Sequence, residues 1–415
     1  MKRLLQSIGP AIIVAAVVLG PGSILTSSKV GSQFGFPALA VIAMSTILMI
    51  AMVALAARIG VIYDNSPCDQ LAARLGRPVA VIVGLILFGL VAIFQYSNNV
   101  ALISGIAPLL DSADGTSSPL TQGAKPAIIL IVFNAFVIAC LYRLRHLYGS
   151  IENLMKWLIG LMVVAFLINF VVVFLTPRGY TPVTQDEAPD IIPLLGMIGT
   201  TFSIGGAFYQ AYLVKEKGWQ LMDARKGLFD SIISISVLGL VTAVILMTAT
   251  RVFYGRPDPV ALGNVGDVAR QLQPLFGSWA KIIFCLGIFA GALSSFLVNA
   301  LIGGTVMSDA LGKGSRLGNQ WPLALTTAAL LSGMIIAIIN LRDAQSTVNL
   351  IAFAQALTVL GLPALALTLL YLGTRPELTG DRKVPRWIIV LAVLGFFVSC
   401  IVAIRTGIAV VGKFS

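Results

Sequence analysis

Apolar stretches of about 20 residues recur along this chain, and each is long enough to cross a hydrocarbon core of roughly 30 Å as a helix. Backbone that enters lipid must satisfy its own N–H and C=O groups, so stretches of this kind dictate transmembrane helices. The spans read approximately 9–34, 37–59, 79–107, 126–145, 152–176, 192–214, 229–253, 278–307, 322–341, 347–373 and 387–411, eleven in all. With 58% hydrophobic and only 11% charged residues, the chain is not a soluble globular protein. The expected fold class is an all-α polytopic membrane protein, a single transmembrane domain over 1–415. The segment 65–78 reads as a short amphipathic helix, 175–190 as a polar outer loop and 374–386 as a cytoplasmic linker.

The first apolar segment follows Lys2 and Arg3 as a signal peptide would, but it lacks a small-residue cleavage site and reads as a retained helix. The formal charge of +11 reads as membrane topology rather than nucleic-acid binding. With the N-terminus placed in the cytoplasm, seventeen Lys and Arg fall inside against nine outside, which also places the C-terminus outside. This fits the inner or plasma membrane of a prokaryotic cell. Cys68, Cys140, Cys285 and Cys400 are scattered without metal or disulfide spacing, and the single His146 reads as a loop residue. No motif supplies a nucleophile with base and orienter, or a cofactor cradle, so neither an enzyme nor a resident cofactor is expected. The expected partners are a small solute or ion and the lipid bilayer, with no obligatory protein partner.

Two of the spans are interrupted. "VLGPGSILTSSKVGSQFG" (18–35) places Gly20, Pro21 and Gly22 at mid-span, and "MIGTTFSIGGAFYQAYLVKEKG" (197–218) places Gly205 and Gly206 likewise. Breaks at the start of two five-helix blocks mark an inverted repeat, here about 9–176 and 192–373 with an extra helix at 387–411. Such breaks meet near the bilayer centre, where backbone groups released from the helix can bind a transported solute. Their polar residues are the candidate site: Ser23, Thr26 and Lys29 in the first span, and Thr200, Thr201, Ser203 and Gln210 in the sixth. Gly22, Thr26, Lys29 and Gln33 share one helical face. For Lys29, facing the solute path and snorkelling to the interface are equally compatible with the sequence.

"GPAIIVAAVVLGPGS" with "GSQFGFPAL", "FCLGIFAGALSSFLVNALIGGTVMSDAL" (284–311) and "AQALTVLGLP" (354–363) resemble the first, eighth and tenth helices of the Nramp family of divalent-metal transporters. The resemblance covers the first ten helices and implies the amino acid–polyamine–organocation fold; it also adds Gln355 of the tenth helix to the site. Asp230 fits a family acid near the start of helix seven. The functional positions depart from the family. Its first-helix Asp-Pro-Gly-Asn reads Gly20-Pro21-Gly22-Ser23 here, its sixth-helix Met-Pro-His reads Ser203-Ile204-Gly205, and a further histidine aligns with Gln210. Tyr96 and Asn99 stand where proton-coupled relatives carry a third-helix aspartate and glutamate.

Loss of the acid removes the anionic ligand that a dehydrated transition metal needs, and no residue is assigned as a metal ligand. Lys29 and the positive ends of half-helices after Gly22 and Gly206 favour a small anionic or zwitterionic solute. Glycine in place of larger side chains suggests a widened pocket. The alternative is a divalent cation, hydrated Mg²⁺ above all, because Mg²⁺ keeps several of its waters. A proton relay of the Nramp kind is not expected; Glu152 and Asp230, near helix ends, read as capping or pairing residues.

Overall fold

The computed structural model describes residues 9–110, 125–144, 148–183, 189–257, 262, 265–340 and 357–414, and the regular structure among them is helical. The helices are α1 (Ala11–Val18), α2 (Pro21–Phe34), α3 (Leu39–Ile62), α4 (Pro67–Leu75), α5 (Arg77–Leu110), α6 (Lys125–Leu144), α7 (Tyr148–Leu175), α8 (Ile191–Thr201), α9 (Ile204–Glu216), α10 (Ala224–Phe253), α11 (Val265–Ala310), α12 (Gln320–Asn340), α13 (Leu362–Gly373) and α14 (Arg386–Phe414). Among the described residues nine helical segments are long and apolar enough to cross a membrane, and the bent pair α1–α2 makes a tenth. Of the expected span 347–373, the described part is a short apolar helix, Val359–Gly373. The count of eleven is therefore reached only in part. His146 and Gln355 lie outside the described residues.

Burial separates a centre from a rim. Every residue of α1 is buried, as are ten of the thirteen in α9, so the interrupted spans run through the middle of the bundle. On α6, α7 and α14, Val132, Trp157 and Ile404 belong to broadly exposed apolar faces, which is the surface a helix presents to lipid. Helices approach closely where glycine leaves room. A Cβ on Gly60 would lie 2.5 Å from the Ala211 carbonyl, and one on Gly31 would lie 2.6 Å from the Leu246 carbonyl. Without a hydrophobic force between helices in lipid, such backbone-to-backbone packing holds the bundle together.

Buried carboxylates organise the end of the bundle that carries α4. The expected short helix at 65–78 is observed as Pro67–Leu75. Its start is tied to α11 by Asp309, which accepts from Ser66 Oγ at 2.5 Å, Cys68 N at 3.1 Å and Tyr212 Oη at 2.8 Å. Burial, and the Asp309 carboxylate beside it, push the Cys68 thiol far above its ordinary range. Asp230 of α10 accepts from Gly9 N at 2.7 Å and Ala11 N at 2.8 Å, and so caps the start of α1. Glu152 receives both Lys156 and Lys217. The capping and pairing roles expected for Asp230 and Glu152 match this geometry.

Candidate functional site

The first break is short and sharp. Leu19 leaves helical geometry (φ −75°, ψ 42°), Gly20 is extended (φ −80°, ψ 171°), and α1 and α2 are bent by 60°. Pro21 restarts the helix as its first residue, where its fixed φ suits and its missing N–H costs nothing. The interruption strands the last carbonyls of α1, and buried carbonyls need donors. Hydroxyls supply them: Ser294 Oγ donates to the Ala16 carbonyl at 3.0 Å, Ser295 Oγ to Val17 at 3.1 Å, and Ser23 Oγ to Val18. Thr26 Oγ1 donates back to the Gly22 carbonyl at 3.0 Å, inside its own helix.

The second break lies at Phe202 (φ −95°, ψ 59°) and Ser203 (φ −79°, ψ 86°), inside a single 26-residue span, Ile191–Glu216. It therefore precedes Gly205 and Gly206, which are already helical in the first turn of α9. Those glycines serve close packing instead, since a Cβ on Gly206 would lie 3.2 Å from Val14 and one on Gly205 would lie 2.9 Å from Leu87. The start of α9 thus packs on α1, the helix that ends at the first break. Thr200 Oγ1 donates to the Met197 carbonyl at 3.1 Å, and Thr201 is buried.

Beside the second break, between α5, α11 and the start of α13, lies a cavity of only ≈ 20 Å³, room for about one water, lined by Ser203, Gly205, Gly206, Asn299 and Leu362 among others. The space that Gly20 is expected to open is filled in the described structure, for a plain reason. A Cβ on Gly20 would lie 2.6 Å from Ser295 Oγ and 3.4 Å from Asn98 Oδ1, so neighbouring polar side chains already occupy the space. The half-helix starts also differ from expectation. Ser23 N and Ile24 N both bond the Gly20 carbonyl, at 3.0 and 3.2 Å, so α2 offers few amides. At α9 the first-turn amides before Ala207 lack intrahelical acceptors, and Gly205 and Gly206 line the cavity.

The polar centre extends away from the breaks as a run of amides and hydroxyls. Asn98 Nδ2 lies 3.1 Å from Ser295 Oγ, Asn299 Nδ2 donates to Ser295 Oγ at 3.0 Å, and Gln95 Nε2 donates to the Phe296 carbonyl at 2.8 Å. Farther out, Asn134 Nδ2 donates to Asn99 Oδ1 at 2.7 Å. Of the two third-helix positions singled out in the sequence, Asn99 joins this run, whereas the buried Tyr96 hydroxyl has no partner among the described residues. Gln95 and Asn98, rather than Tyr96, face α11. Gln210 is fully buried with neither amide atom partnered among the described residues. Lys29 is half-buried in the second half of α2. No group of three or more His, Cys, Asp or Glu that could hold a metal occurs among the described residues. Sequence reading missed Gln95, Asn98, Ser295 and Asn299; the available signal was their helical spacing, with Gln95 and Asn98 three apart and Ser295 and Asn299 four apart.

Two interrupted spans crossing at a buried polar centre define an inverted-repeat membrane transporter. The sequence profile described as natural resistance-associated macrophage protein-like matches residues 11–409. This chain belongs to the Nramp family. It is 25% identical over 400 residues to a protein named divalent metal cation transporter MntH from Xylella fastidiosa (strain Temecula1), covering 94% of this chain and 82% of that protein. The MntH of Staphylococcus haemolyticus is 24% identical, covering 94% and 89%. Among solved structures, the Eremococcus coleocola manganese transporter in complex with an aromatic bis-isothiourea substituted compound superposes with a TM-score of 0.77 at 21% identity, covering all of this chain and 88% of that one. MhsT in complex with L-phenylalanine superposes with a TM-score of 0.58 at 16% identity, covering 97% and 98%. At these identities the structural likenesses speak for the fold.

Proposed function

We propose that this chain is a secondary transporter, not an enzyme, that carries a divalent cation in a partly hydrated state, with Mg²⁺ the best-suited ion. The observation carrying this reading is a site of Nramp architecture whose described donors are all neutral. Ser203, Asn98, Ser295, Asn299 and backbone carbonyls can bond the waters of a cation. They do not replace the anionic or soft ligands that a bare Mn²⁺ or Fe²⁺ requires. Mg²⁺ sheds its waters reluctantly, and outer-sphere contact with amide and hydroxyl oxygens suits it. The names of the 24–25% identical relatives, divalent metal cation transporters, support a cation rather than another solute. The break residues named from the sequence, Gln210 and Gln355 included, form the proposed path, with the N-terminus in the cytoplasm and one domain of two repeats. An amide cannot pass a proton as a carboxylate does, so coupling through the third helix is not part of this mechanism.

A second reading, a small anionic or zwitterionic solute, is favoured by one observation, the α9 amides beside the cavity. Purified protein in liposomes separates the two. Saturable Mg²⁺ uptake, reported by a trapped Mg²⁺ dye and exceeding Mn²⁺ uptake at equal concentration, is the expected result. Absence of uptake for both ions, with accumulation of amino or carboxylic acids, would replace the cation reading with the second one.

A further inference from the structure

On the face of the bundle opposite α4, the segment after α7 folds back over the end of α10 and encloses a cavity of ≈ 350 Å³. Arg178, Arg251 and Arg256 line it together with Val173, Thr176 and Tyr180. Arg178 is built into the wall. Its Nε donates to the Arg251 carbonyl at 3.1 Å and its Nη2 to the Thr250 carbonyl at 3.0 Å, which closes the carbonyl end of α10. Its guanidinium sits 4.9 Å from the centre of the Tyr180 ring, and that of Arg256 lies 5.7 Å from the same ring. Tyr180 is itself fixed, its hydroxyl shared between the Val252 and Tyr254 carbonyls at 3.1 Å.

Three half-buried arginines thus line one cavity, with the guanidiniums of Arg178 and Arg256 gathered at Tyr180, and no carboxylate pairs with any of the three among the described residues. Like charges gathered at a partly dry surface repel one another unless an anion sits between them. The planar fork of arginine matches the oxygens of a phosphate group in a bidentate manner. Val173 adds an apolar wall, and the cavity opens at the end of two membrane helices, where headgroups lie. We infer that this cavity binds a phosphate-bearing ligand, supplied either by an anionic phospholipid headgroup or by free phosphate. This is separate from the transport path, which lies between the two breaks.

The test uses the full chain in detergent and follows its thermal unfolding with two probes: phosphatidylglycerol against phosphatidylcholine, and inorganic phosphate against chloride at equal ionic strength. A raised midpoint with either probe is expected in the parent protein, and it should fall by at least half in R251Q/R256Q while persisting in R382Q on the opposite face. A response to phosphatidylglycerol alone assigns the lipid, and a response to inorganic phosphate alone assigns the free anion. If the double variant fails to fold, R256Q carries the comparison, because no hydrogen bond of the Arg256 guanidinium is lost with it among the described residues. No rise with either probe, or equal rises in the parent and R256Q, would overturn the site.

Discussion

The two breaks are related by the repeat but built on different physical terms. The first is bent by 60° and sealed, with three stranded carbonyls of α1 bonded by serine hydroxyls and the space beside Gly20 filled by Ser295 and Asn98. The second stays within one span, and its flank at Ser203, Gly205 and Gly206 borders the ≈ 20 Å³ cavity. One break is therefore a sealed joint, and the other borders a small cavity. A broken helix is thus not by itself a binding site. What matters is whether the groups released by the break are already satisfied by protein.

The largest difference should appear on adding one methyl group to each break. Gly20→Ala sets a Cβ against Ser295 Oγ at 2.6 Å and Ser295 Cβ at 2.9 Å, short atoms on a packed helix, whereas the neighbour of Gly205 is the flexible tip of Leu87 at 2.9 Å. Overpacking should cost about 2–3 kcal/mol at Gly20 and less than about 1 kcal/mol at Gly205. Denaturant or thermal unfolding of the purified variants measures this, and in a Ser295→Gly background the added cost of Gly20→Ala should shrink while that of Gly205→Ala stays the same. Equal costs at both glycines would end the distinction between joint and cavity wall.

Next in size is removal of a hydroxyl. Ser295→Ala strips a donor from the Val17 carbonyl and a partner from Asn299, so a loss of about 1–3 kcal/mol in stability is expected. Ser203→Ala, beside the cavity, should leave stability within about 0.5 kcal/mol and act on uptake instead. A smaller effect is expected from Asp230→Asn, which turns one of the two acceptors at Gly9 and Ala11 into a donor. The loss of the cap should be about 1 kcal/mol and should free the start of α1. Hydrogen exchange at the amides that open α1 should then be faster in Asp230→Asn than in the parent; an unchanged rate would show that the cap does not restrain α1.

How much of this was legible follows from the range of each force. The helices, the break at Gly20 and the amphipathic segment before α5 are local patterns of hydropathy and proline, and they read directly. The sequence marks the second break by the pair Gly205 and Gly206, just past the observed break at Phe202 and Ser203, because glycine marks close approach as readily as it marks an unwound backbone; only the position of Val14 separates the two. The filled space beside Gly20 has a related reason. Removing a side chain opens space only if no neighbour fills it, and Ser295 lies 275 positions away along the chain from Gly20. The substitution of amides for acids in the third helix was visible, but its register against α11 was not. Nothing in "FQYSNNVALISG" itself says that Asn98 faces α11 while the Tyr96 hydroxyl goes unpartnered.

The smallest effect is expected where the sequence drew most attention. Lys29 shares its helical face with Gly22 and Thr26, yet it sits in the second half of α2, half-buried, while the cavity borders the other break. Seven residues separate it from Gly22, about 10 Å along the helix, and across that span a screened charge leaves a modest repulsion on a cation in the site. Lys29→Gln should therefore raise the apparent affinity for Mg²⁺ in liposomes by only about two- to threefold, more at low salt than at high. An anionic solute would respond with the opposite sign, since the lysine would then attract it. The direction of this small change distinguishes a cation from an anion in the path, and a loss of transport exceeding tenfold would move Lys29 from the periphery into the binding machinery.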